Sequence, residues 1–77
     1  MAVTIDPRTA HAPQTQTVLT KHGCIIKTRL GLHEVHSNPC SERGLIILHI
    51  CAEANKVKEL EKDLLDVEGV AVKYMQL

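Results

Sequence analysis

The sequence predicts an α+β domain in which four strands and two helices follow one another in the order βαββαβ. Three observations predict it. Residues 24–35 (CIIKTRLGLHEV) alternate with the period of two that marks a half-buried strand. Val57, Leu60, Leu64 and Val67 recur at intervals of three, four and three, which draws one apolar stripe along a helix. Glycines stand just beyond both helical stretches, at Gly23 and Gly69, where a chain commonly leaves a helix.

Residues 2–6 (AVTID) are short and β-branched and open the chain as a strand. Asp6-Pro7 ends it. The first helix is expected from about Ala12 to His22, because Pro13 suits a first turn, where a missing N–H costs nothing. Asp6-Pro7 also reads as an N-cap followed by Pro, an earlier start that carries Pro13 inside the helix at a cost of about 3 kcal/mol. Val18 and Leu19 are its chief apolar residues. In the second strand Cys24, Ile26, Thr28, Leu30 and Leu32 share one face and Ile25, Lys27, Arg29, His33 and Val35 the other. Gly31 marks a candidate bulge or close backbone contact. Residues 36–44 (HSNPCSERG) form a turn-rich loop.

Residues 45–52 (LIILHICA) are apolar almost throughout, as in a strand covered on both faces. Asn55 is placed to cap the second helix, residues 56–68, with Lys58, Glu59, Lys62 and Asp66 on its wet side. Val70, Val72 and Tyr74 share a face of the last strand, residues 70–77. Two split β-α-β units with right-handed crossovers give a ferredoxin-like, four-stranded antiparallel sheet of order 4-1-3-2, with both helices on one face. The other face is left open, and the third strand gives it apolar side chains with His49 among them. Such a patch usually marks an interface. The outer strands also have unpaired edges. Self-association is therefore expected through the open face, an edge strand, or both, with a monomer that tolerates the exposure as the plain alternative.

A chain of 77 residues has room for one domain, spanning 1–77. A domain this small buries only about 60–65% of the surface its unfolded chain exposes. Apolar residues make up 44% of it, yet Tyr74 is the one aromatic, so the core rests on aliphatic side chains. Thin cores of this kind gain from self-association, as a dimer or tetramer. Nine basic and nine acidic residues cancel, and no Lys/Arg cluster appears. A basic surface and stacking aromatics, the usual means of holding nucleic acid, are both missing. No apolar run approaches membrane-spanning length. The start, MAVTIDPRT, does not read as a signal peptide, so a reducing cytoplasm is the expected setting. Cys24 and Cys51 lie in apolar runs, where a thiol acts as a small hydrophobe.

The stretches VLTKHGCIIKTRLGLHE (18–34), SERGLIILHI (41–50) and LEKDLLDVEGVAVKYMQL (60–77) resemble the small ACT-like proteins described as iron-only hydrogenase system regulators. The step TKHG-x-I-I-x-x-R-L-G and the closing E-G-V-A-V-K carry most of the likeness, which spans about residues 14–77. It implies a ferredoxin-like fold, oligomerisation, and a regulatory role near hydrogenase assembly or expression, with a protein partner in that system. A more distant likeness is to the C-terminal domain of nickel-responsive transcription regulators, which bind metal through strand histidines and a cysteine. The nearest matches here are His33, His36 and Cys40. Those regulators space their strand histidines as H-x-H, whereas here they are three apart, and no DNA-binding segment precedes the domain.

His33, His36 and Cys40 form H-x-x-H-x-x-x-C around the loop, a donor set that suits zinc, nickel, copper or ferrous iron. His11, His22, Glu34 or a second subunit would supply a fourth ligand. The bland alternative is a polar loop with solvent-facing histidines. Cys40 with His36 also suggests an activated thiolate, but nothing marks an orienting group or an oxyanion hole, so no enzymatic activity is expected. The connection from Asp6 to Pro13 is a second candidate, since ACT domains hold small ligands near this loop. Arg8 and Thr9 would contact an anion there, and Arg29 would hold an acid ligand or bridge subunits. An ordinary polar loop and a solvated edge charge are the plain readings of the same residues. The expectation is a non-enzymatic regulatory homo-oligomer that senses a small ligand or contacts a partner, with a transition-metal sensor or metallochaperone as the alternative.

Overall fold

A computed structural model of the chain describes residues 1–6, 8–33 and 44–76. Its elements are β1 (Ala2–Ile5), α1 (Arg8–Lys21), a short 3-10 turn (Gly23–Ile25), β2 (Ile26–His33), β3 (Gly44–Ile50), α2 (Ala54–Leu65) and β4 (Val70–Lys73). The strands form one antiparallel sheet in the order β2-β3-β1-β4. This is the ferredoxin-like α+β arrangement expected from the sequence, with β3 and β1 in the middle.

The register explains where the core lies. Val3 stands opposite Ile46 on one side and Val72 on the other, and Ile5 opposite Gly44 and Val70. Val3, Ile5, Ile46 and Leu48 turn to the helices and are buried with Leu19 of α1 and Leu60 and Leu64 of α2. Both helices feed this one cluster, so both cover the same face of the sheet. A fully buried Leu contributes about 1.5–3 kcal/mol. Leu60 and Leu64 are the buried members of the α2 stripe, while Val57 and Val67 are half-buried on its margins.

α1 takes the earlier of the two starts considered, at Arg8, and carries Pro13 inside it. The extra turn brings His11 against Gly69, and the Asp6 N–H donates to the Gly69 carbonyl at 3.0 Å. Burial of Thr15 and Leu19 holds the helix down in spite of the proline. The Thr15 hydroxyl meets its own need by donating to the His11 carbonyl at 3.0 Å.

Several local expectations are corrected. Cys24 and Ile25 belong to the 3-10 turn, and Cys24 and Cys51 are exposed thiols rather than core hydrophobes. The bulge falls between Ile26 and Thr28, not at Gly31, around which a Cβ would meet nothing within 4 Å. The extra residue at Lys27 turns Ile26 to the core side while Thr28, Leu30 and Leu32 face the other way, so the single face assigned to them is split. β3 is not covered on both faces, since Ile47 and His49 are exposed. α2 starts at Ala54 behind Glu53, and the Asn55 side chain accepts only from the neighbouring Lys56 N–H. It ends at Leu65, so Gly69 serves the following turn, with φ of 82°. Tyr74 lies beyond β4 and is exposed.

Candidate functional site

The helix-free face of the sheet is the most distinctive surface. Paired residues of antiparallel strands share a face, so the register writes its rows directly. One row runs Leu30, Ile47, Ala2 and Lys73, and the next Leu32, Leu45, Thr4 and Ala71. A third begins with Thr28 beside His49. Leu30 is 53% exposed, Leu32 47% and Ile47 40%, values that place large aliphatic groups in contact with solvent. Lys73 is the one fixed charge in these rows, and it stands at their edge. Strand spacing and rise give the ten positions of these rows a footprint of about 330 Å².

Beyond the end of β3 a cavity of about 360 Å³ is lined by His49 and Cys51, by Leu48 and Ile50 from the helix-covered side, and by Val57 and Lys58 of α2, among others. His49 and Cys51 are two residues apart and project to the same side. The Cys51 thiol lies 4.0 Å from His49 Nε2, and both side chains are exposed. The Cys51 N–H donates to the Ile25 carbonyl at 3.0 Å, which fixes the backbone that carries the thiol. The alternation of LIILHICA placed His49 correctly; the overlooked signal was that period two puts Cys51 beside it.

The structure treats the residues singled out in the sequence differently. His36 and Cys40 lie outside the described residues, as does the side chain of His33 at the end of β2. Among the described residues, no group of three or more His, Cys, Asp or Glu side chains gathers to hold a metal ion. Arg8 and Thr9 stand in the first turn of α1, with side chains outside the described set. Because residues 8–13 are helical, the connection after β1 is far shorter than the loop expected there. Arg29 stands opposite Leu48, on the helix side of the sheet, and its guanidinium donates to the Gln16 side-chain carbonyl on α1. It therefore ties β2 to α1, on the opposite side from the apolar rows.

His22 is a tether between the helices. Its Nε2 lies 2.7 Å from Asp63 Oδ2, and Lys21 Nζ donates to the same oxygen at 3.1 Å. These hydrogen bonds, from His22 first and Lys21 second, hold the Asp63 carboxyl below its ordinary pKa.

No protein-family model and no curated protein sequence matches the chain. Its structure is similar to that of an uncharacterized protein from Thermotoga maritima, with a TM-score of 0.79. The similarity covers 94% of this chain and 85% of that one, at 21% sequence identity. Likeness at that identity is likeness of fold. Fold and surface together define a small ferredoxin-like α+β domain with an uncovered apolar sheet face, and no helix among the described residues is long and apolar enough to cross a membrane.

Proposed function

We propose that this chain is a non-enzymatic regulatory module that works as a homo-oligomer, with a second copy of itself covering the open sheet face. The rows led by Leu30–Ile47 and Leu32–Leu45 carry the reading. A contiguous apolar patch of a few hundred Å² is about the largest that a soluble domain carries, and a patch of that kind is often functional. Three features favour a second copy over a foreign partner. Among the described residues the face is almost free of charge, so two copies related by a two-fold axis meet there without repulsion. The buried core is a small aliphatic cluster, and domains of this size commonly gain stability by pairing. Sheets also stack naturally at about 10 Å with aligned strands.

The resemblance of residues 14–77 to iron-only hydrogenase system regulators supplies the proposed setting: a cytoplasmic module that acts on hydrogenase assembly or expression through a partner protein. The absence of a nucleophile–base–orienter motif in the sequence supports a binding role over a catalytic one.

Sedimentation equilibrium of the full chain tests the reading, with Leu30→Lys and Ile47→Lys alongside. Both side chains are exposed, so circular dichroism should show each variant folded. A wild-type dimer or tetramer that falls to monomer in the variants is the expected result. A wild-type monomer at tens of micromolar, or variants that associate as before, would overturn it. Deleting the gene and measuring hydrogenase activity and transcript tests the setting; unchanged levels of both would remove it.

A further inference from the structure

We infer that His49 and Cys51 form one half of a transition-metal site, completed by the same two residues of a second copy across the open sheet face. The inference rests on the homo-oligomer proposed above. It begins from the pair itself: an imidazole nitrogen and a thiol sulfur 4.0 Å apart, two residues apart on one side of the chain. A tetrahedral zinc ion bonded to sulfur at about 2.3 Å and to nitrogen at about 2.0–2.1 Å holds those atoms roughly 3.6 Å apart. Both side chains are exposed, so a small rotation of either closes the difference.

Two ligands are not enough. Among the described residues, this chain brings no third His, Cys, Asp or Glu to the pair. The missing ligands have a natural source in the fold. Leu45, Ile47 and His49 are successive open-face residues of β3, a central strand of the sheet. A two-fold axis running along β3 lays the strand over its copy, with Leu30 and Leu32 on one flank and Ala2, Thr4 and Ala71 on the other. The apolar rows then meet at the middle of the interface. His49 and Cys51 of one copy face their counterparts at its end, across the ~10 Å that separates stacked sheets. Two imidazoles and two thiolates make a Cys2His2 set, the donor chemistry of a closed structural zinc site. The cavity beside Met1 and Met75 leaves the approach open to an ion. Metal binding would release the thiol protons and couple assembly to metal supply. The site uses none of the residues of the His33, His36 and Cys40 set, which precedes β3 in the chain.

The test uses full-length protein purified without oxygen and stripped with a chelator, then titrated with Co2+ and with Zn2+. Stoichiometry is read by elemental analysis and ligation by the cobalt spectrum; mass is read separately by sedimentation. The expected result is one metal per two chains, with a thiolate-to-cobalt charge-transfer band and tetrahedral d–d bands. Both His49→Ala and Cys51→Ser should lose the band, while Cys24→Ser and Cys40→Ser keep it. Ile47→Lys should lose it as well, by separating the copies. A dimer that takes up no metal would overturn the metal site and leave the oligomer standing. A monomer would overturn both. One metal per chain, or binding that survives Cys51→Ser, would overturn the shared site.

Discussion

Replacing Gly69 by Ala should destabilise the domain by about 2 kcal/mol or more, from two separate causes. The first is backbone conformation. Gly69 has φ of 82°, and an L-residue in that region loses about 1–2 kcal/mol relative to glycine. The second is contact. A Cβ at position 69 would lie 2.5 Å from the Asp6 carbonyl oxygen and 2.7 Å from His11 Cδ2. The imidazole can swing away, but the Asp6 carbonyl is backbone at the end of β1 and cannot. Relief means moving the turn, at the expense of the 3.0 Å bond from the Asp6 N–H to the Gly69 carbonyl, worth about 1 kcal/mol net. Lower entropy of the unfolded chain returns about 0.4–1 kcal/mol. Urea unfolding at fixed protein concentration reads the balance. With a slope of about 1 kcal/mol/M for so small a domain, the midpoint should fall by about 2 M. Gly31→Ala is the control, since its Cβ would meet nothing within 4 Å, and its midpoint should shift by less than about 1 M. Adding His11→Ala to Gly69→Ala should recover little. A Gly69→Ala midpoint equal to wild type, or full recovery in the double variant, would refute the reasoning.

Two further changes probe the helices. Pro13→Ala should raise stability by about 1–3 kcal/mol, because the exposed proline breaks a hydrogen bond inside α1; lower stability would mean that the helix begins after it. Asp63→Asn should cost stability at neutral pH and progressively less in acid. The carboxyl is held below its ordinary value of 3.8, so its stabilisation is fully present above that pH and is lost as pH falls through the lowered value. Wild type and Asp63→Asn unfolding midpoints should therefore converge below about pH 4, and a gap that stays constant into strong acid would separate the effect from ionisation.

The architecture was legible in the order of residues alone. Short-range patterns suffice for that: period two in IIKTRLGLH and LIILHI, and period 3.6 in Val57, Leu60, Leu64 and Val67. Handedness and short connections then allow few arrangements, and the 4-1-3-2 order is among them. The uncovered face was legible for the same reason, since alternation in β3 sends Ile47 and His49 away from the helices.

The remaining features depend on contacts between residues distant in the chain. The first helix begins at Arg8 because packing of Thr15 and Leu19, and of His11 against Gly69, outweighs the local penalty at Pro13. Periodicity cannot announce a bulge, and the one at Lys27 reverses which side of β2 Ile26 takes. Arg29 looked free until the sheet set it beneath α1 and Gln16. The tether from His22 and Lys21 to Asp63 joins residues 41 and 42 positions apart, a distance that no local pattern spans. Local pattern marks which stretches form elements and which carry an apolar face; the final side of a residue beside a bulge, and the meeting of particular side chains, wait on the packing of elements against one another.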